Sequence, residues 1–300
     1  MTTHDAARVK VKERGIAMAQ EIAKAVLITG CSTGIGHATA ARMVSHGWRV
    51  YATARRPEAI KDLDERGCRT LALDVCDENS MRAAVETVER EAGAVGVLVN
   101  NAGYAVEGAI EEVPMPEVRR QFETNLFGLV QMTRLVLPAM RRQRWGRVIN
   151  LSSMGGRLTL PGGGYYHATK YAVEAISDAL RFEVAGFGIG VSIIEPGPII
   201  SSFGDTAVKA IPAFAESSPY AEFNRVVAQR VKEAYEGPMA RMAGAPDDVA
   251  AVIERAASAA RPRTRYKVTI AGRVLMALRR WLPDRAFDAF LKTQFPQPTG

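Results

Sequence analysis

Tyr166 and Lys170 stand four residues apart in a run that reads as helix, so their side chains project from one face. A cationic ammonium close to a phenol favours the phenolate and draws its pKa down from about 10, the tuning a general acid or base requires. Alone the spacing is weak, because tyrosine and lysine often share a helix face for solubility. Tyr165 is five residues from Lys170 and points elsewhere. Upstream lies Ser153, within Asn150-Leu151-Ser152-Ser153-Met154-Gly155-Gly156, immediately after an apolar run. A serine there can donate to a carbonyl oxygen as negative charge develops on it. A turn-forming Ser-Ser before glycines is the plainer reading, more credible for Ser152 than for Ser153. Asn125 is an amide inside an otherwise amphipathic helix where leucine or alanine would be easier, so something is expected to hold it. The bland alternative is a satisfied buried amide.

A second group suits a phosphate. Thr29-Gly30-Cys31-Ser32-Thr33-Gly34-Ile35-Gly36 follows an apolar run and leads into a helix. Such a turn lets backbone N–H groups and the positive helix end face a pyrophosphate, with glycines allowing close approach. The spacing is G-x-x-x-G-x-G rather than G-x-G-x-x-G, and a plain glycine turn is the simpler alternative. An acid about 20 residues further on selects the ribose 2′-OH of NAD, whereas arginine suits the 2′-phosphate of NADP. Here the next apolar run ends Thr53-Ala54-Arg55-Arg56 without an acid. Arg55 can meet the phosphate with a bidentate, charge-assisted pair, and Ser32 can add a hydroxyl; NADP(H) is the expected cofactor. The alternative is that both arginines merely begin the next helix.

The elements that must position these residues alternate. Strands are expected at Ala25–Thr29, Arg49–Thr53, Thr70–Leu73, Val95–Val99, Arg147–Leu151 and Val191–Glu195, and a later one at Tyr266–Ile270. Helices are expected at Ile35–Ser45, Pro57–Glu65, Ser80–Glu91, Pro116–Arg141, Tyr166–Ala185 and about Pro246–Ala260, with a further one at the end. Gly47, Gly67, Gly186 and Gly188 read as helix stops. The alternation argues for an α/β fold: a single Rossmann-type doubly wound parallel sheet of about seven strands with helices on both faces. Residues 1–24 read as an N-terminal extension, expected to be disordered, and 25–272 as the catalytic domain. Within it, 201–245 break the rhythm and are expected to cover the substrate; 273–300 form a C-terminal amphipathic extension.

With the glycine loop, Asn125, Ser153, Tyr166 and Lys170 in this order, the chain resembles the short-chain dehydrogenase/reductase family from about Lys24 to Ile199. It is similar to the compact NADP(H)-preferring branch containing 17β-hydroxysteroid and retinol dehydrogenases. That resemblance implies an oxidoreductase with Asn125, Ser153, Tyr166 and Lys170 catalytic. Ser153 and Tyr166 would hydrogen-bond a substrate carbonyl, Tyr166 would supply the proton in reduction, and Lys170 would hold the nicotinamide ribose and lower the Tyr166 pKa. Asn125 would kink its helix and hold a water in a proton relay. The cofactor would lie against Gly30, Ser32, Thr33, Gly34, Ile35, Gly36 and Arg55. Asp74 and Val75 would take the adenine, Asn101, Ala102 and Gly103 the ribose side, and Pro196, Gly197 and Ile199 the carboxamide. The family's habit of pairing the helices containing Asn125 and Tyr166 implies a homodimer or homotetramer.

Composition fits a soluble enzyme: 47% hydrophobic, three cysteines without C-x-x-C spacing, four scattered histidines and no metal-ligand spacing. A reducing, cytoplasmic setting is expected; neither a signal peptide nor a membrane-spanning run is evident. The net charge of +7 gathers between Arg255 and Lys292, where ten Lys/Arg face two acids, and no nucleic-acid-reading motif accompanies it. No nucleic-acid partner is expected. Met154, Leu158, Leu160, Phe203, Phe214, Tyr220 and Phe223 suggest an apolar pocket and a lipophilic carbonyl or alcohol of steroid, retinoid or fatty type. Arg273–Phe295 reads as a basic amphipathic helix interrupted at Pro283, packing on its own domain or a partner subunit, or lying peripherally on an anionic membrane. Two rivals share the fold. A non-catalytic NADP(H)-sensing protein would be expected to lack the Tyr or Lys, and an epimerase or dehydratase to show a larger substrate domain and different glycine spacing.

Overall fold

Parallel strands covered on both faces read as near-continuous apolar runs, and the central strands of this chain follow that pattern with a few buried polar positions. β1 (Ala25–Ile28), β2 (Val50–Ala54), β3 (Arg69–Ala72), β4 (Val95–Asn100), β5 (Gly146–Leu151), β6 (Ile189–Glu195) and β7 (Arg265–Lys267) form one seven-stranded sheet. Its order is β3-β2-β1-β4-β5-β6-β7, and every adjacent pair is parallel. The computed structural model describes residues 22–201, 203, 215–236 and 242–298. Residues 1–21, most of the expected N-terminal extension, lie outside the described residues, as does Phe214.

The helices are α1 (Gly34–Ser45), α2 (Lys61–Glu65), α3 (Glu78–Ala92), α4 (Met115–Phe122), α5 (Gly128–Gln143), α6 (Gly164–Val184), α7 (Ala221–Glu236), α8 (Pro246–Ser258), α9 (Ile270–Trp281) and α10 (Asp284–Lys292). Alternation along β1 divides the core between the faces. Val26 and Ile28 pack with Met43 of α1 and Val249 and Ile253 of α8. Leu27 packs oppositely with Val85 of α3 and Met132 and Met140 of α5. The single Rossmann-type sheet with helices on both faces is therefore present. Strand order reverses between β1 and β4, which opens a crevice beyond their carboxyl ends.

A buried polar ladder fixes that end of the sheet. Asn100 and Asn150 are in register on β4 and β5. Asn100 Nδ2 donates to Asn150 Oδ1 at 2.9 Å and to Thr133 Oγ1 of α5 at 3.1 Å. Asn150 Nδ2 donates to Ser177 Oγ of α6 at 2.9 Å. Two strands and two helices are thus pinned by directional bonds in a dry interior, where each bond is costly to lose. Further out, Arg265 of β7 meets Asp178 at 2.6 Å and Glu174 at 3.0 Å on α6, and Glu195 of β6 at 3.3 Å.

Three elements differ from expectation. The helix anticipated over Pro116–Arg141 is interrupted by a π turn at Glu123–Phe127, at the place where the family resemblance implies a kink at Asn125, whose amide bonds outside its own helix. The last strand ends at Lys267 rather than Ile270. Thr269 instead caps α9, its hydroxyl accepting from Gly272 N at 3.1 Å, and a capping threonine competes with strand pairing. The stretch anticipated over Pro57–Glu65 is a 3₁₀ turn at Pro57–Ile60 followed by α2. At the C-terminal end α9 and α10 divide at Pro283, burying Met276 and Phe287 while Ile270, Val274 and Trp281 stay exposed.

Asn150→Ala should cost about 1–3 kcal/mol by removing the middle of the ladder and leaving Ser177 and Asn100 short of partners. Urea unfolding measures it; an unchanged midpoint would show the ladder to be dispensable.

Candidate active site

The cleft at the switch point has a volume of about 830 Å³. Its floor begins with the loop from β1 to α1. Gly30 and Gly34 hold φ of +73° and +62°, which side chains rarely adopt, and a Cβ at Gly30 would lie 2.9 Å from Ala102 Cα. Gly36 does not line the cleft. It lies behind the loop, where a Cβ would come within 2.3 Å of Gly30 O, so its role is close packing of helix on strand. Thr33 makes no side-chain cap on α1, and no acid occupies the first turn, so the helix's leading N–H groups are left for an anion. These features fit a dinucleotide's pyrophosphate.

The adjoining wall carries the other expected contacts. Ser32, Thr33, Gly34, Ile35, Arg55, Asp74 and Val75 line the cleft. Arg55 is exposed at the end of β2 and makes no ion pair among the described residues, while Ala54 beside it is buried. After β4, Asn101, Ala102 and Gly103 line the cleft too. Their backbone is set by Thr29, the first residue of the glycine loop: its hydroxyl accepts from Asn101 N and Ala102 N, both at 3.0 Å. Pro196, Gly197 and Ile199 follow β6 on the far side.

Ser153, Tyr166 and Lys170 converge in the same cleft. Ser153 follows β5 and caps the next turn, its hydroxyl accepting from Gly155 N at 3.1 Å. Lys170 is buried and donates to Leu151 O at 2.8 Å, with its nitrogen 5.8 Å from the centre of the Tyr166 ring. Burial draws the ammonium down to about 8, with the Glu174 charge working against it. Burial likewise pushes the Tyr166 phenol up to about 12; the Ser153 hydroxyl opposes the rise and the Glu107 charge adds to it. Desolvation is the largest of these effects, and none of them comes from Lys170.

Asn125 lies behind this group rather than in the cleft. Its Oδ1 accepts from Tyr104 N at 3.0 Å, and its Nδ2 donates to Tyr104 O at 2.8 Å and Thr169 Oγ1 at 3.2 Å. The amide is thus satisfied, and it ties the segment after β4 to α6. Gly103 sits between it and the lysine: a Cβ there would be 3.1 Å from Asn125 Oδ1 and 3.7 Å from Lys170 Nζ. Of the residues expected to make an apolar pocket, Met154 and Phe203 line the cleft, with the Phe203 ring 6.0 Å from that of Tyr166. Leu158 is buried, and the Tyr220 hydroxyl donates to Glu111. Leu160 and Phe223 likewise do not line the cleft.

His167 was missed, although it directly follows Tyr166. Leu160 N–H can only donate, so His167 Nε2 accepts from it at 3.3 Å, and Nδ1–H must then donate to Gly155 O at 3.0 Å. The ring is neutral, and burial holds its pKa below the ordinary histidine value. It staples the Ser153 turn to α6.

A family model for the short chain dehydrogenases matches residues 24–211, and the chain belongs to that family. It is 38% identical to a 3-ketodihydrosphingosine reductase of Bacteroides thetaiotaomicron, over 89% of this chain and 96% of that one. It is 35% identical to an NADPH-dependent 3-dehydrocapnine reductase of Ornithobacterium rhinotracheale, over 87% of this chain and 94% of that one. The crystal structure of a short-chain dehydrogenase from Streptomyces avermitilis superposes with a TM-score of 0.76 at 35% identity, over 91% of this chain and 96% of that one. The protein is accordingly an NAD(P)(H)-dependent oxidoreductase that transfers hydride between a dinucleotide and a carbonyl/alcohol pair.

His167 gives a pH test. Its folded pKa lies below the ordinary histidine value of about 6.5, so the folded state takes up its proton later than the unfolded chain on acidification. The wild type should lose stability as pH falls below about 6.5 and until the folded ring is protonated. His167→Gln should flatten that part of the urea midpoint against pH; an identical profile would show that the ring titrates alike in both states.

Proposed function

We propose that the protein is an NADPH-dependent reductase of a lipophilic ketone or aldehyde, with Tyr166 as the proton donor. The observation that carries this reading is the convergence of Tyr166, Ser153 and Lys170 in one cleft with Met154 and Phe203 beside the phenol. A phenol pushed up to about 12 remains protonated near neutrality, the state a donor needs for reduction. Ser153 Oγ is held at the cleft and can donate to the carbonyl oxygen as charge develops there. Lys170, anchored on Leu151 O, keeps its remaining N–H groups for the cleft, where they fit the nicotinamide ribose. Asn125 positions the Tyr104 segment against α6 and acts through it. When bound, the nicotinamide supplies the hydride.

Preference for NADPH rests on Arg55, a guanidinium with no ion pair among the described residues at the mouth of the adenine side, and on the absence of an acid at Ala54. Relatives named as a 3-ketodihydrosphingosine reductase and as an NADPH-dependent reductase support both the ketone and the cofactor.

In a panel of carbonyl compounds with NADPH, long-chain ketones should be turned over. Tyr166→Phe should lower kcat by roughly 10²–10⁴-fold while leaving the NADPH affinity from fluorescence titration close to wild type. Near-normal turnover in the variant, or activity confined to small polar sugars, would refute the reading. Arg55→Ala should weaken NADPH by about 10–100-fold and leave NADH nearly untouched, as loss of a charge-assisted pair requires. Equal weakening of both nucleotides would remove Arg55 from the 2′-phosphate.

A further inference from the structure

The penultimate helix carries an apolar face that the fold leaves bare. α9 buries Gly272 and Met276 against the domain. On its other side Ile270, Val274, Ala277 and Trp281 recur at the spacing of a single helix face. Nothing among the described residues covers them: Ile270, Val274 and Trp281 are 73%, 60% and 80% exposed, and Ala277 is exposed as well. Arg273 and Arg280, two helical turns apart and both exposed, border this stripe along one side. The Arg273 guanidinium donates twice to Lys267 O, at 2.9 and 3.1 Å, which fixes its charge at the start of the helix.

The face is built into the domain at both ends. A Cβ on Gly272 would lie 3.1 Å from Gly197 Cα, so the first turn of α9 rests on the loop that lines the cleft after β6. At the far end Arg279 pairs with Asp284 at 2.6 Å and lies over the Phe287 ring of α10, 5.2 Å from its centre. A face held in this way loses little freedom when a partner covers it. The same pair neutralises one of the two acids between residues 255 and 292. Asp288 is left against Arg261, Arg263, Lys267, Arg280 and Arg285, which are exposed and make no ion pair among the described residues.

The charges decide what can cover the stripe. A second copy seated symmetrically on it would bring Arg273 and Arg280 of both copies together, cation against cation. An anionic lipid surface instead offers phosphates to the arginines and an apolar layer to the isoleucine and valine, with an indole favoured at the boundary between them. No helix among the described residues is long and apolar enough to cross a membrane, so α9 would lie in the plane of such a surface. We propose that α9 docks the protein on an anionic lipid surface, with Ile270, Val274 and Trp281 entering the headgroup boundary and Arg273 and Arg280 meeting lipid phosphates. This attachment goes beyond the reductase reading and does not require it.

The test is co-sedimentation of the full chain with vesicles of phosphatidylcholine alone and of equal parts phosphatidylcholine and phosphatidylglycerol, at low and high salt. Tryptophan emission is followed on the same samples, and sedimentation velocity on the lipid-free protein. Wild type should bind the mixed vesicles roughly 10–100-fold more tightly than the neutral ones, release with salt and shift its emission to shorter wavelength. Arg280→Glu should weaken binding by roughly 10–30-fold, as reversal of one interfacial charge requires. Trp281→Ser should weaken it by roughly tenfold or more and abolish the emission shift. Both side chains are exposed, so both variants should melt with the wild type. Absence of binding, binding indifferent to vesicle charge, or wild-type binding by both variants overturns the proposal. So does either variant melting several degrees lower, which would mark the face as packed in solution. A lipid-free dimer that Trp281→Ser dissolves overturns it too, by making a second copy the occupant. None of these readouts needs turnover, so each outcome leaves the reductase reading to its own test.

Discussion

The bond from the Lys170 ammonium to the Leu151 carbonyl is the contact on which the site depends. A cation taken out of water needs acceptors, and the carbonyl at the end of β5 supplies one at 2.8 Å. That requirement sets the position of α6 relative to the sheet, and with it the place of Tyr166 one turn earlier. It also fixes the end of β5, from which Ser153 follows directly. One desolvated charge therefore sets the separation between the phenol, the hydroxyl and the ammonium.

The surroundings keep that separation from relaxing. The ladder from Thr133 through Asn100 and Asn150 to Ser177 locks β4 and β5 to α5 and α6 at the carboxyl end of the sheet. His167 and Asn125 make short polar links from α6 to the turn after β5 and to the segment after β4. Each acts on backbone groups, so the cleft is shaped mainly by main chain held in place. Hydrogen bonds in a dry interior are directional and expensive to leave unmade, which makes such a frame rigid where a purely apolar one could slide.

The two ends of the cleft are built differently. The dinucleotide end consists of glycines, backbone N–H groups and small side chains, where close approach matters more than side-chain identity. The end beyond Tyr166 is lined by Met154 and Phe203, where side-chain size decides what fits. The same chemistry can thus serve different carbonyl compounds while the hydride-transfer apparatus stays constant.

Period and punctuation alone determined most of the fold. The buried strands, the glycine turn and the Tyr166 and Lys170 pair were legible because each follows from local rules: continuous apolar runs, a strand leading into a helix, and residues one helical turn apart. Only the tertiary structure decided the rest. The Asn125 amide bonds to Tyr104 and Thr169, distant in sequence, and the short final strand arises from a threonine that found a helix to cap. The surroundings of Tyr166 were also beyond local reading, because desolvation of the phenol depends on everything packed around it.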